Sequence, residues 1–220
     1  MTRWWSFVPY VVIGAVHLVA LFVGADVVSG PTKGLLMPAL LLGLLLALPS
    51  LRTEIALWAT IGILFSWLGD ILLSSPGDFG FILGLGGFLI AHAVYLVMFL
   101  RPLRTRRVPW FALLYIPWWL VLVVVLAPHL GGLLVPVALY GLILGASAAT
   151  ALGTNRWTAL GGLLFALSDS VLAYKLFYPG FALWEADFLI MLGYIAGQGL
   201  IIAGAVRFAQ RTIARDGGTR

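Results

Sequence analysis

Residues Phe65–Phe99 read FSWLGDILLSSPGDFGFILGLGGFLIAHAVYLVMF and contain two apolar segments joined by a short turn at Pro76–Asp78. Each segment carries an ionisable residue, Asp70 in the first and His92 in the second. A carboxylate near the middle of a bilayer costs roughly 2.5–3.5 kcal/mol even on lenient insertion scales. Residues retained at that cost usually belong to a functional site. The stretch therefore predicts both a membrane fold and a site within it.

The polar residues of this stretch follow the period of an α-helix. Ser66, Asp70 and Ser74 are spaced four residues apart and fall on one stripe of the first helix. His92 and Tyr95, three residues apart, share a face of the second helix. The spacing predicts two polar stripes that face one another across the turn or line a common cavity.

The composition is that of an integral membrane protein. Of the 220 residues, 62% are apolar and only 10% are charged, whereas soluble domains are about 25% charged. No polar stretch is long enough to bury a core of its own, so we expect a single transmembrane domain over residues 1–220. The apolar run after Arg3 is longer than a signal-peptide core and is interpreted as an uncleaved first span. The chain has no cysteine, which excludes disulfides and thiolate chemistry.

Assigning about twenty apolar residues to each span predicts an all-α, polytopic transmembrane bundle of about eight helices. Three separators are clear, namely Asp26–Thr32, the break at Pro49 and Ser50, and the basic linker RPLRTRRVP at residues 101–109. A short turn at Pro128–Leu130 divides the fifth helix from the sixth. The predicted helices cover residues 5–25, 33–49, 54–74, 79–100, 109–127, 130–151, 157–178 and 184–207, and a basic tail follows at 208–220.

The basic residues are concentrated on one side of the predicted bundle. Of the 13 lysines and arginines, only Lys33 and Lys175 fall on the other side. The positive-inside rule then predicts cytoplasmic N and C termini in a multi-pass protein of the cell membrane. The arginines lie at segment ends rather than among aromatic residues on a soluble face. This distribution favours contact with anionic membrane lipids over a nucleic-acid partner.

A second acidic residue lies in a similar setting in the predicted seventh helix. The interval from Asp70 to Tyr95 is 25 residues, and the interval from Asp169 to Tyr194 is also 25 residues. A parallel repeat of four helices plus four would produce this spacing and would bring the two acids to facing positions at similar depth. Gln198, four residues after Tyr194, then extends the polar lining on the last helix.

Two carboxyl groups beside one apolar cavity suit acid–base chemistry. Adjacent carboxylates repel each other, so one of Asp70 and Asp169 is expected to hold a proton while the other is ionised. His92 is a candidate proton shuttle. The alternative is that all three are hydrogen-bonded packing residues at helix interfaces. His17 has no polar neighbour on its own helix face and is interpreted as structural.

Neither a metal nor a cofactor is predicted. A zinc site built from His92 and the two acids would take its ligands from three different helices, and no HxxxH or HExxH spacing supports one. Lys33 and Lys175 sit at helix ends, where they either extend to the membrane interface or meet a phosphate at the mouth of the cavity. Lys33 is the favoured phosphate ligand of the two.

Five short motifs occur in order along almost the whole chain. They are TK at residues 32–33, GDILL at 69–73, FLIAHAVY at 88–95, SDS at 168–170, and Tyr194 with Gln198. Together they resemble the YhhN-type membrane proteins, the lysoplasmalogenase family. The resemblance implies a membrane hydrolase that cleaves the vinyl ether bond of lysoplasmalogens, releasing a fatty aldehyde and glycerophosphoethanolamine or glycerophosphocholine. Gly34 follows Lys33 where a proline is expected, which bears on the role of Lys33.

The implied reaction agrees with the chemistry of these residues. Hydrolysis of a vinyl ether begins with proton transfer to the β-carbon, and the resulting oxocarbenium ion is captured by water. By analogy with glycosidases, one Asp would donate the proton and the other would stabilise the cation and activate water. His92 would relay the proton, and water or the glycerol oxygen would be positioned by Tyr95, Tyr194 and Gln198. The alternatives are a proton-coupled transporter of a small solute or lipid that uses the same acids, and a lipid-binding protein without turnover.

Overall fold

Eight α-helices and three short 3-10 helices make up the part of the chain that the computed structural model describes, residues 4–217 without the side chains of Asp78 and of residues 213–217. The α-helices are α1 (Val8–Phe22), α2 (Asp26–Ala47), α3 (Glu54–Leu73), α4 (Asp78–Leu100), α5 (Tyr115–Leu130), α6 (Leu134–Ala151), α7 (Arg156–Phe177) and α8 (Ala186–Gly217). The 3-10 helices are Trp4–Phe7, Trp110–Leu114 and Gly131–Leu133. The all-α prediction is confirmed. Arg3 and Arg220, which entered the charge count, lie outside the described residues.

The two helices that carry the acids begin at side-chain caps. The Thr53 hydroxyl accepts a hydrogen bond from the backbone N–H of Ala56, and this bond starts α3. The Asn155 side chain accepts from the first backbone N–H groups of α7. Such caps satisfy donors that have no partner within the helix. At the other end of α3, Gly77 adopts a φ of +92°, which suits glycine and makes the predicted turn into α4.

The predicted linker at Asp26–Thr32 is wrong, because α2 begins at Asp26 and runs through Pro31. The Thr32 hydroxyl donates to the backbone carbonyl of Val28 at 2.7 Å and to that of Ser29 at 3.1 Å. Membrane helices tolerate prolines, so α2 continues through Pro31 where a soluble helix would end. The last helix also differs from expectation, since α8 extends ten residues beyond the predicted end at residue 207, to Gly217.

Residues 110–151 form one apolar helical stretch of 42 residues that folds back on itself at Gly131. The predicted turn at Pro128–Leu130 is wrong, because α5 continues through Pro128 and ends at Leu130. The Trp119 indole N–H donates to the carbonyl of Ala138 at 2.9 Å, and the Trp118 ring packs against Gly145. Contacts between a helix before the turn and a helix after it are those of an antiparallel helical hairpin. The glycines of α6 allow the two tryptophan rings of α5 to pack against it.

Seven stretches of the described chain are long and apolar enough to cross a membrane, and the α5–α6 hairpin counts as one of them. The expectation of about eight spans stays a prediction. Many large apolar side chains, among them Val11, Val19, Leu64 and Leu120, are exposed on the outside of the bundle. An apolar surface of this extent is typical of a protein whose surroundings are lipid.

Glycines allow the two helix pairs that hold the acids to pack closely. On α4, a Cβ atom at Gly87 would lie 3.1 Å from the Cα of Gly69 on α3. On α7, a Cβ atom at Gly161 would lie 2.7 Å from the carbonyl oxygen of Gly197 on α8. Small residues at such crossings permit the close contact that membrane helices use for association. The glycine-rich run at Gly84–Phe88 is thus a helix contact.

Candidate functional site

A cavity of about 340 Å³ lies at the end of the bundle where α1, α3 and α7 end and α2, α4 and α8 begin. Most of its wall is apolar, with leucine and phenylalanine side chains from several helices. A predominantly apolar wall with a few polar groups is typical of small-molecule sites. The polar and charged side chains that line it are His17, Ser29, Lys33, Asp70, Tyr140, Ser168, Asp169, Asp187 and Tyr194.

Asp70 lies in the wall of this cavity and is bonded to the last helix. Its side chain is only 5% exposed, and its Oδ2 accepts a hydrogen bond from the Tyr194 hydroxyl at 2.7 Å. One turn further along α3, the Ser74 hydroxyl donates to the Asp70 backbone carbonyl at 2.8 Å. The carboxyl is therefore fixed by α8, and its other oxygen, Oδ1, is left for a ligand.

Asp169 lines the same cavity from α7 and has a matching partner on a different helix. Its Oδ2 accepts a short hydrogen bond from the Tyr140 hydroxyl of α6. The predicted convergence of two acids on one cavity is thus present. Each carboxyl is held by one tyrosine, and each Oδ1 has no hydrogen bond to any of the residues that the structure describes.

One aromatic cluster connects the two carboxyl–tyrosine pairs. The Phe165 ring packs edge-on against Tyr194, with ring centroids 5.3 Å apart, and against His92 at 4.4 Å. The His92 ring in turn lies 6.0 Å from that of Tyr140. Edge-to-face contacts of this kind stabilise a defined ring geometry. The cluster therefore holds both tyrosines, and through them both carboxyl groups, in fixed positions.

His92 itself does not line the cavity. It is 2% exposed, and neither of its ring nitrogens has a hydrogen-bond partner among the described residues. Its predicted pairing with Tyr95 is a ring contact at 6.1 Å rather than a hydrogen bond. A direct relay of protons through His92 has no hydrogen-bonded path in this arrangement, so its assignment as a shuttle stays a prediction.

Tyr95 and Gln198 also lie outside the cavity lining, in a fully buried polar layer. The Tyr95 hydroxyl donates to Gln198 Oε1 at 2.8 Å, and Gln198 Nε2 donates to the Ser66 hydroxyl at 2.8 Å. These bonds join α3, α4 and α8 one helical turn from the Asp70–Tyr194 pair. Their position favours a role in fixing that pair over the predicted contact with substrate.

The polar residues that follow one face of α3 also bond to two helices other than α4. Ser66 and Asp70 bond to α8, and Ser74 Oγ accepts a hydrogen bond from Lys33 Nζ of α2 at 3.1 Å. Lys33 lines the cavity, as the phosphate hypothesis requires. Lys175 instead forms a short ion pair with Asp187, which is itself exposed.

Tyr140 and His17 line the cavity although neither was predicted as part of the site. Tyr140 gives no local signal, because its partner Asp169 is 29 residues away on another helix. His17 was interpreted as structural, but it lines the cavity, and its Nδ1 lies 2.9 Å from Thr32 Oγ1 on α2. Helical spacing describes neighbours on one helix, so it could not reveal either contact.

The parallel repeat stays a prediction. The packing of α3 against α4 resembles that of α7 against α8, but the hydrogen bonds do not follow the repeat. Asp70 bonds to Tyr194 of α8, whereas Asp169 bonds to Tyr140 of α6 instead of Tyr95 of α4. Within the described residues, no group of three or more His, Cys, Asp or Glu side chains is placed to bind a metal ion.

The fold and the cavity together define a multi-pass α-helical membrane protein with a pair of acids on one internal cavity. The chain belongs to the YhhN family, whose model matches residues 29–205. The resemblance found from the five motifs is confirmed.

Three relatives illustrate the similarity. Lysoplasmalogenase from Mycobacterium tuberculosis (strain CDC 1551 / Oshkosh) is 32% identical over 168 residues, a match that covers 64% of this chain and 61% of the relative. Lysoplasmalogenase TMEM86B from Rattus norvegicus is 32% identical over 169 residues, and the match covers 72% of this chain and 70% of that relative. The Homo sapiens protein of that name is 35% identical over 153 residues, and the match covers 64% of this chain and 60% of that relative. The chain thus spans about three fifths of the mycobacterial and human relatives. No solved structure matches it.

Proposed function

We propose that this chain is a membrane hydrolase that cleaves the vinyl ether bond of lysoplasmalogens or of a related lysophospholipid. The products are a fatty aldehyde and a glycerophosphodiester such as glycerophosphoethanolamine or glycerophosphocholine. Relatives named lysoplasmalogenase, at 32% to 35% identity, support this activity. The observation that carries the proposal is the pair of carboxyl groups, each held by a tyrosine hydroxyl, on one largely apolar cavity.

The reaction requires one acid and one base. A protonated carboxyl transfers its proton to the β-carbon of the vinyl ether, and the electron pair of the double bond forms the new C–H bond. The α-carbon becomes an oxocarbenium ion, which the second, ionised carboxyl stabilises. That carboxylate then takes a proton from a water molecule as the water adds to the α-carbon, giving a hemiacetal. As the hemiacetal collapses, its hydroxyl proton passes to the carboxylate that protonated the β-carbon, and the second carboxyl gives the proton it took from water to the glycerol oxygen. The aldehyde and the glycerophosphodiester are released, and both acids return to their starting states.

Asp70 and Asp169 are the proposed acid and base. The free Oδ1 atom of each is available for proton transfer, because Tyr194 and Tyr140 occupy the Oδ2 atoms. A tyrosine hydroxyl that donates to a carboxyl stabilises its ionised form more than its neutral form. Each tyrosine therefore fixes the geometry of its acid and responds to the change in charge during the reaction.

The remaining wall suits an amphipathic lipid. Lys33, which lines the cavity and whose ammonium group donates to Ser74, would bind the phosphate. The apolar side chains, among them Leu73, Leu85 and Leu172, would contact the hydrocarbon chain. Membrane lipids are thus both the surroundings and the source of the substrate.

We propose that both termini are cytoplasmic, that the protein lies in the cell membrane, and that the cavity is at the opposite side of that membrane. The concentration of arginines at one end of the bundle supports this orientation. The linker at residues 101–109 lies at that end. The turn at residues 74–77, beside the cavity, lies at the other.

The test is hydrolysis by the purified protein in heavy water. We expect release of fatty aldehyde from 1-alkenyl lysophospholipid, with one deuterium at the carbon next to the carbonyl, since that carbon receives the proton from the acid. A lysophospholipid with a saturated ether at the same position is the matched control and should not react. No aldehyde from the vinyl ether would overturn the proposal. Flux of an unchanged solute into liposomes would favour the transporter, which finds no support among the relatives described above.

A further inference from the structure

The wall of the cavity formed by α1 and α2 contains a buried histidine with one free ring nitrogen. His17 is 2% exposed and lines the cavity, and its Nε2 has no hydrogen-bond partner among the described residues. Its other nitrogen, Nδ1, lies 2.9 Å from the hydroxyl oxygen of Thr32. Buried polar atoms are nearly always paired, so a free one in a cavity wall points to a ligand.

The bonds around Thr32 determine what that nitrogen can recognise. The Thr32 hydroxyl donates its one hydrogen to backbone carbonyls of its own helix, at 2.7 Å to Val28 and 3.1 Å to Ser29. Thr32 Oγ1 must therefore accept from His17, which places the hydrogen of the neutral ring on Nδ1. Assigned from these bonds, the tautomer leaves Nε2 as a lone-pair acceptor. The free nitrogen can bind a hydrogen-bond donor but cannot donate to an acceptor.

We propose that His17 Nε2 accepts a hydrogen bond from the free sn-2 hydroxyl of the lysophospholipid, and that His17 is therefore a specificity-determining residue. This inference rests on the proposed function for the identity of the substrate. The sn-2 hydroxyl is the one donor that choline and ethanolamine lysoplasmalogens share, because the phosphate and the vinyl ether oxygen are acceptors. In a diacyl-type lipid the same position is an ester without a donor.

The proposed phosphate ligand and the proposed hydroxyl ligand both line the cavity, and adjacent residues of α2 connect them. Lys33, the proposed phosphate ligand, directly follows Thr32, the residue that orients His17. In the substrate, the phosphate at sn-3 is likewise adjacent to the hydroxyl at sn-2. The vinyl ether at sn-1 then extends toward the two acids. A site built to pair a substrate hydroxyl rejects analogues that lack it, because its own polar atom is left unpaired.

The experiment compares two non-cleavable probes, a saturated 1-alkyl lysophosphocholine and its 2-deoxy counterpart, by calorimetry with the full-length protein in detergent. We expect the wild type to bind the hydroxyl probe about tenfold more tightly, the size of effect of one buried neutral hydrogen bond. His17→Asn keeps an amide near Nδ1 for Thr32 and removes the acceptor, so the ratio of affinities should fall to near one. His17→Gln, whose amide oxygen reaches the position of Nε2, should restore part of it. Thermal unfolding of the same samples verifies that the variants are folded.

The outcomes separate this inference from the proposed function. An equal affinity ratio in the wild type and in His17→Asn would overturn the inference, whether or not the wild type releases aldehyde. A ratio of affinities that falls to near one in His17→Asn would support the inference even if the wild type cleaves no vinyl ether. Absence of cleavage by the wild type would overturn the proposed function alone. Failure of the folded wild type to bind either probe would overturn both.

Discussion

Replacing Tyr194 or Tyr140 by phenylalanine removes one hydroxyl hydrogen bond from one carboxyl and leaves an aromatic ring in place. The Tyr194 hydroxyl donates to Asp70 at 2.7 Å, and the Tyr140 hydroxyl donates to Asp169. The ring contacts of both tyrosines with the aromatic cluster remain possible for phenylalanine. The two variants therefore perturb the two carboxyl groups one at a time.

The two tyrosine substitutions are expected to act differently on kcat, because one carboxyl gains negative charge in the reaction and the other loses it. A neutral hydrogen bond contributes about 0.5–1.5 kcal/mol and a bond to a charged group about 1.5–3 kcal/mol. The proton donor becomes an anion as it reacts, so its tyrosine bond strengthens by about 1–1.5 kcal/mol, and losing that bond should lower kcat by a factor of about five to thirteen. The acid that activates water becomes neutral, so its tyrosine variant should keep or raise kcat.

The assay is kcat for aldehyde release at saturating substrate, and it identifies which acid is the donor. Thr154→Val is the control, because it also removes a buried hydroxyl, one that donates to the Ala151 carbonyl at 2.6 Å at the end of the bundle opposite the cavity. Its kcat should equal that of the wild type. Equal losses of kcat in Tyr194→Phe and Tyr140→Phe would refute the reasoning, since a proton donor and a proton acceptor change charge in opposite directions.

Three further predictions concern binding, packing and orientation. Lys33→Met should raise KM for the lysophospholipid about fivefold with kcat unchanged, as for a contact equally strong in ground state and transition state; an unchanged KM would contradict phosphate binding. Gly161→Ala should lower the free energy of unfolding by about 1–3 kcal/mol, since the added Cβ would meet backbone of the facing helix. Gly86→Ala, with open space around it, should be neutral or stabilising; equal effects would contradict the packing argument. Because the chain lacks cysteine, Ser75→Cys and Thr105→Cys each give one thiol for labelling in intact cells. An impermeant reagent should modify the first and spare the second, and the reverse would invert the proposed orientation.

Local periodicity accounts for the part of the site that sequence could predict. Asp70 and Ser74 on α3, and Tyr194 and Gln198 on α8, are each four residues apart, and helical geometry alone places each pair on one face. The cost of a carboxyl in a membrane singled out Asp70 and Asp169. Both acids lie in the cavity wall, as that argument expects.

The rest depends on contacts between helices, which spacing along one helix does not encode. Tyr140 joins the site through Asp169 of α7, and His17 through Thr32 of α2. His92 shares a helix face with Tyr95 as predicted, yet the packing of Phe165 against its ring leaves it outside the cavity lining. The linker predicted before Lys33 is wrong for a different reason, because a membrane helix tolerates a proline that would end a soluble helix.

The most direct test of the paired-acid mechanism is aldehyde release by purified Asp70→Asn and Asp169→Asn. Loss of a positioned general acid or base lowers the rate about 10²–10⁴-fold, and we expect a loss of that order in each variant with the fold retained. Asp26→Asn, which removes an exposed acid at the same end of the bundle but outside the cavity lining, should keep wild-type activity. Wild-type rates of aldehyde release by folded Asp70→Asn or Asp169→Asn would contradict the account.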